Sequence, residues 1–334
     1  MRVVFLTTSY PRDERDHAGR FVADLAERLR ARGLEVDVVA PGTYRDFGLA
    51  YGAGLTKNAV RKPWAVPPLL ASMARTVRRA ARDADLVHAH WLPTVAPALA
   101  AGRPLVATLH GSDVALLGRF PPLLRLLARR VRVAVAVSEA VADTVRGLGA
   151  TNVRVIRNGV ELPAATSDGE ADPPELLFVG RLVPEKGVEE LVEATEGRNL
   201  VVVGDGPLRA DVPAALGFLS GAALEERYAR AAVVVCPSRR EGFGLVCAEA
   251  MARARPVVAT AVGGLSELVA DGETGLLVPP QDPPALRTAI DSLLADQALR
   301  RRMGEAGRKR IAELCDWDSV VDAYIDTYEA ALSG

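Results

Sequence analysis

Two rhythms of apolar and polar positions run along this chain. Short apolar, β-branched runs recur at VVFLTT (3–8), VDVVA (36–40), DLVHA (85–89), LVATL (105–109), VAVAV (133–137) and VRVI (153–156). A second series follows at LLFVG (176–180), LVVVG (200–204), AVVVC (232–236), PVVAT (256–260) and GLLVP (275–279). Continuous apolar runs of this length predict strands covered on both faces. Between them, apolar residues return at helical spacing, as Phe21, Val22, Leu25, Ala26 and Leu29 do among charges, with Gly33 placed as a helix C′ residue. The alternation predicts an α/β chain with two parallel sheets, each doubly wound by helices.

The stretch VELPAATSDGEADPPE (160–175) breaks both rhythms with Pro, Gly, Ser and acids, and reads as an interdomain linker. The expected division is therefore 1–160, a linker at 161–175, and a second domain from 176 to 316. Ligands of doubly wound domains bind at the carboxyl ends of the strands, so a cleft between the two halves is the expected site.

Composition narrows the class. The chain has 334 residues, 49% hydrophobic and 25% charged, long enough for two cores. Its net charge of −1 conceals a split: residues 1–165 carry 24 Lys+Arg against 14 Asp+Glu, and the remainder 17 against 28. A basic first half suits an anionic partner, whether lipid phosphate, membrane surface or nucleic acid, although no nucleic-acid reading motif is present. Cys236, Cys247 and Cys315 form no C-x-x-C pair, which argues against a disulfide framework or a zinc site and fits a reducing compartment. The start, MRVVFLTTSY, has too short an apolar run for a signal peptide or a membrane span, so a soluble cytoplasmic protein is expected.

The chemistry concentrates in the second half. EGFGLVCAE places Glu241 in a loop before a helix and Glu249 about a turn inside it. Such a pair can perform acid–base work, accept paired hydrogen bonds from a sugar diol, or simply solvate a loop and a helix. In LLFVGRLVPEKG a strand leads into a loop with Arg181 and Lys186, and Gly187 opens a helix. A guanidinium fork, an ammonium and a helix N-terminus together suit a diphosphate.

Gly204 and Gly206 in VVVGDGPLR, and the glycines of VGGLSELV, could approach an anion or only shape tight turns. Arg209 stands where a dinucleotide fingerprint needs Gly or Ala, which disfavours a nicotinamide or flavin cofactor. In the first half, Gly19 precedes a helix and could present N–H groups, and His110 follows a strand at the expected rim of the cleft, where a lone His is more often structural. His88 and His90 show no third metal ligand, and no metal is assigned. The DAD at 83–85 reads as a helix-ending turn. Segments 63–84 and 118–132 mix Trp or Leu with several Arg, which fits peripheral contact with an anionic membrane or, more commonly, apolar faces packed on a sheet.

Taken together, FVGRLVPEKG, VVVGDGP, PSRREGFGLVCAEAMARARPVVAT and GGLSELVADGETGLLVPPQD resemble the family 4 retaining glycosyltransferases, which have the GT-B fold: two Rossmann-like domains facing across a cleft. The resemblance covers nearly the whole chain and is most specific from Pro237 to Asp282.

It implies transfer of a hexosyl group from a nucleotide-diphosphate sugar to a hydroxyl acceptor, such as a lipid-linked or polysaccharide precursor, with retention and no metal or other cofactor. Arg181 and Lys186 would hold the diphosphate, Glu241 the sugar hydroxyls and Glu249 the ribose diol. Gly244 and Leu245 would contribute backbone contacts, and Gly19 and His110 would approach the donor from the first domain, which would also bind the acceptor. Residues 317–334 would form a helix crossing back to that domain. Ala18-Gly19 replaces the Gly-Gly of many relatives, Leu34 stands where His is frequent, and residues 209–224 are abbreviated beside the expected base site, leaving UDP, GDP and ADP open. Competing readings are a sugar-nucleotide binding protein without turnover and a sugar-nucleotide epimerase of related architecture.

Overall fold

The computed structural model describes residues 1–13, 18–50, 55–111, 121–166, 170–212 and 214–333. Parts of the loop before Gly19, of segment 118–132 and of the 161–175 stretch lie outside the described residues. The chain forms two compact units: Met1–Arg157 together with Asp318–Gly334, and Asn158–Trp317.

The first unit contains β1 (Arg2–Leu6), α1 (Arg20–Ala31), β2 (Glu35–Val39), α2 (Val66–Ala80), β3 (Leu86–His90), β4 (Leu105–Leu109), β5 (Val133–Ala136), α3 (Glu139–Gly147) and β6 (Val153–Val155). Its sheet is parallel with order β2-β1-β3-β4-β5-β6. Every residue of β3 and β4 is buried, as the unbroken apolar runs require when helices cover both faces. Helix α2 buries Leu69, Met73 and Val77, so the apolar face of segment 63–84 is used for packing, while Trp64 just before it is 72% exposed.

The second unit contains β7 (Glu175–Val179), α4 (Val188–Ala194), β8 (Leu200–Val203), α5 (Gly221–Arg230), β9 (Ala231–Cys236), α6 (Leu245–Ala252), β10 (Val257–Thr260), β11 (Gly275–Val278), α7 (Pro283–Ala295) and α8 (Gln297–Leu314). Its sheet is also parallel, in the order β11-β10-β9-β7-β8. Leu176, Phe178, Val233, Val235 and Val258 of the strands pack with Leu191, Ile290 and Leu293 of the helices. Each such burial contributes on the order of 1.5–3 kcal/mol. Asp282 and Asp296 cap α7 and α8, accepting from Ala285 N and Leu299 N at 2.9 Å each. All three cysteines are buried free thiols.

The described part of the stretch before β7 is held to this unit. Arg300, 5% exposed in its side chain, donates from Nη2 to Glu170 Oε2 at 2.6 Å, and Ala171 N donates to Arg230 O. The last helix, α9 (Trp317–Ser333), returns to the first unit from Asp318 onward. Its Tyr328 hydroxyl lies 2.8 Å from His88 Nδ1, and its Tyr324 hydroxyl 3.2 Å from Thr108 Oγ1. Among the described residues no helix is long and apolar enough to cross a membrane.

Both sheets share one logic. The first strand of each lies between the second and the third, so the chain winds outward in opposite directions from that point. This reversal makes the carboxyl ends of β1/β3 in one unit and of β7/β9 in the other topological switch points, where ligands of doubly wound sheets bind.

Candidate active site

In the second unit, the loop after β7 carries Arg181 and Lys186, and the loop after β9 carries Ser238, Arg239 and Glu241. Because β7 and β9 are hydrogen-bonded neighbours, residues about 55 positions apart meet. Lys186 Nζ forms an ion pair with Glu241 Oε2, and Ser238 Oγ donates to the same oxygen at 3.2 Å. The Lys186 and Glu241 side chains are 26% and 18% exposed, partly withdrawn from water yet reachable. Arg181 lies outside this contact. It is exposed, and its side chain has no hydrogen-bond or ion-pair partner among the described residues.

The two loops are stapled together below the ion pair. Arg239 N donates to Glu185 O at 2.9 Å, its Nε donates to Glu190 Oε1 at 2.6 Å, and its Nη2 pairs with Glu189. Glu189 and Glu190 sit in the first turn of α4, where the helix dipole also favours acids. Gly187 closes the turn at φ +68°, and a Cβ there would lie 1.9 Å from Pro237 O. Gly187→Ala should therefore combine left-handed backbone strain with a clash against the β9 loop. We expect a loss of more than ~1 kcal/mol by urea unfolding. A wild-type unfolding free energy would refute this account of the turn.

The other glycines serve the same lacing. A Cβ on Gly204 would lie 1.8 Å from Gly180 O, and one on Gly206 would lie 2.4 Å from Leu182 O. Leu182 N donates to Asp205 O at 2.9 Å, so the loops after β7 and β8 run in contact. Gly263 and Gly264 approach Glu241 O and Phe243 O in the same way, and Gly264 N donates to Glu241 O at 3.3 Å. The close approach these glycines permit is made by neighbouring loop backbone.

Gly244 is the N-cap of α6 and Leu245 its first residue, so the helix starts four residues after Glu241. The first-turn N–H groups of a helix lack intrahelical acceptors and favour an anion. Glu249 stands one turn further on. Its Oε2 accepts from the Tyr228 hydroxyl at 3.0 Å, and its backbone O accepts from Arg253 Nη1 at 2.8 Å.

In the first unit, Gly19 is the N-cap of α1 at φ +70°, with Ser9 O so near that a Cβ would lie 2.2 Å from it. His110 follows β4 and packs against Phe21 and Trp91, with ring centroids 4.8 Å away in each case. It also stacks on His90 at 5.7 Å and 16°. Burial pushes the His110 imidazole down to about 3, so it is neutral across the ordinary pH range. His88 lies 4.2 Å from His90, which brings three imidazoles together where the sequence had suggested two. They present ring faces to one another, and both nitrogens of His88 meet hydroxyls: Tyr328 at 2.8 Å and Thr108 at 2.7 Å. Among the described residues no group of His, Cys, Asp and Glu is arranged as a metal-ligand set.

Sequence reasoning overlooked Ser238, Arg239 and Tyr228. Ser238 and Arg239 adjoin Glu241 in PSRREGFG, and their spacing to it was the available signal. Tyr228 gave none, since its link to Glu249 bridges two helices.

Two parallel doubly wound α/β units in one chain are the architecture of the GT-B fold. The sequence pattern described as Glycosyltransferase Family 4 matches residues 18–163, and that of Glycosyl transferases group 1 matches residues 166–310. The chain is 33% identical over 290 residues to the glycogen synthase of Mycobacterium tuberculosis, covering 75% of this chain and 70% of that one. The chain belongs to the family 4 glycosyltransferases and is an enzyme of that class. Its fold is similar to sucrose-phosphate synthase from Thermosynechococcus elongatus, with TM-score 0.86 and 24% identity over 100% of this chain and 99% of that one. It is also similar to Anabaena HepE in complex with UDP and glucose, with TM-score 0.75 and 22% identity over 99% and 100%.

Proposed function

We propose that the protein transfers a hexosyl group from a nucleotide-diphosphate sugar to a hydroxyl acceptor, with retention at the anomeric carbon and without a divalent cation. The observation that carries this reading is the meeting of Lys186 and Glu241 at the β7/β9 switch point. A cation for the diphosphate and an acid for sugar hydroxyls stand side by side, each the other's partner until a ligand supplies both. Donor binding would exchange their ion pair for Lys186–phosphate and Glu241–hydroxyl contacts. The UDP and glucose held by a protein of the same fold accord with a donor of this type.

As the sugar–phosphate bond breaks, negative charge grows on the leaving diphosphate and positive character on the sugar. Groups already aimed at the diphosphate stabilise that transition state more than the ground state. Lys186, Arg181 and the N–H groups at the start of α6 would fill this role. Glu241 and its neighbour Ser238 orient the sugar, and Glu249 takes the ribose diol. Gly204 and Gly206 let the loops bordering the diphosphate pack closely. Gly19, with the N–H groups of α1, and His110 are the first unit's candidates for substrate contact. His110, being neutral, would donate or accept a hydrogen bond there without contributing charge.

The test is a thermal-shift screen with UDP-, GDP- and ADP-sugars, followed by NMR of the product. One nucleotide series should raise the melting temperature, because a ligand held only by the native state stabilises it. The product should keep the donor's anomeric configuration. No shift with any donor would refute the donor class, and an inverted product would refute retention.

A further inference from the structure

We propose that Tyr228 is a positioning residue that holds the Glu249 carboxylate in the orientation needed to accept hydrogen bonds from a ribose diol. The proposal rests on the ribose role given to Glu249 above and adds to it the residue through which that carboxylate is aimed.

Tyr228 lies on α5 and is fully buried, and its hydroxyl is its one side-chain polar atom. A buried phenol needs a hydrogen-bond partner, and this one donates to Glu249 Oε2 at 3.0 Å on the adjacent helix α6. The ring is clamped as well. The Arg253 guanidinium stands 4.8 Å over its face, donating from Nε to Glu225 Oε2 at 2.7 Å and from Nη1 to Glu249 O at 2.8 Å. The clamp thus reaches both the side chain and the backbone of Glu249. Burial first, and the Glu249 charge second, push the Tyr228 hydroxyl well above its usual range, so it remains a donor wherever Glu249 is ionised.

The consequence is geometric. A glutamate one turn inside a helix has three side-chain torsions, and a free one would have to surrender that freedom on binding. A fixed donor on Oε2 sets the carboxylate plane beforehand. A carboxylate accepts at about four sites, and the Tyr228 hydroxyl occupies one of them. Preorganisation of this kind improves affinity by reducing what must be ordered at the moment of binding.

Tyr228→Phe removes the hydroxyl and keeps the ring. The dissociation constants of UDP, 2′-deoxy-UDP and 3′-deoxy-UDP would be measured for wild type, Tyr228→Phe and Glu249→Gln, using the ADP or GDP set if the donor screen selects that base. Wild type should lose roughly ten- to a hundredfold in affinity when a ribose hydroxyl is deleted, the range for hydrogen bonds to a charged acceptor. Glu249→Gln should show almost no such discrimination. Tyr228→Phe should show it reduced to within about threefold, with KM for the donor raised and kcat at saturation little changed. A merely structural tyrosine would leave the ribose-to-deoxyribose ratio untouched. Discrimination lost in Glu249→Gln but intact in Tyr228→Phe would overturn the positioning role alone. Full discrimination in Glu249→Gln would overturn the ribose role of Glu249, and this proposal with it.

Discussion

Lys186→Ala is expected to lower turnover by about 10²- to 10³-fold, the usual cost of removing one preorganised group that stabilises a developing anion. The loss should appear mainly in kcat, because charge on the diphosphate is greater when the bond is breaking than in the bound donor. Stability should fall by about 1–3 kcal/mol, because the pair is largely withdrawn from water and the substitution leaves the Glu241 charge without its cation. Steady-state kinetics and urea unfolding on the same preparation separate the two effects. A variant with wild-type kcat would refute the role of Lys186, and one that fails through unfolding would show the ion pair to be structural. Lys186→Arg is a useful companion, since a guanidinium fork placed where a point charge belongs should restore activity only in part.

Acidification from pH 7 to pH 5 should destabilise the first unit by roughly 2 kcal/mol through His88 alone. This imidazole is fully buried between β3 and α9, and burial lowers its pKa to about 3. The unfolded chain, with an ordinary histidine near 6.5, takes up a proton that the native state refuses. Below about pH 6.5 the unfolded state therefore binds more protons, and stability falls with pH until the native imidazole protonates near 3. His90 and His110 are lowered for the same leading reason and act in the same direction. The arrangement couples acid sensitivity to the last helix, since protonating His88 would disturb its contacts with both Tyr328 and Thr108. Urea unfolding at pH 7, 6 and 5 reads the slope, and His88→Asn should flatten it. A slope identical in wild type and variant would refute the account.

These buried imidazoles mark where sequence reading stopped. His88 and His90 looked like a pair lacking a third member, and His110 looked like a rim residue. In the folded unit β3 and β4 are adjacent, so His110 joins the pair, and Tyr328, 240 positions away in the chain, supplies its hydroxyl to His88. Similarly, Lys186 and Glu241 were assigned separate duties toward one ligand, with no sign that they would pair with each other. The glycines at 204, 206, 263 and 264 were read as room for an anion or as tight turns, and each brings neighbouring loop backbone too close for a Cβ.

The chain pattern alone determined the eleven strands of the described residues and their division into two doubly wound sheets. A parallel strand buried on both faces must be continuously apolar over its length, and that is a local signal. Only the tertiary structure decided which loops touch: the Lys186–Glu241 pair, the Arg239 staple, the Tyr228–Glu249 bond and the His88–Tyr328 contact. Strand order sets those meetings. It is fixed by how crossover helices pack, a collective property of the whole core that leaves no mark at the individual residues it brings together.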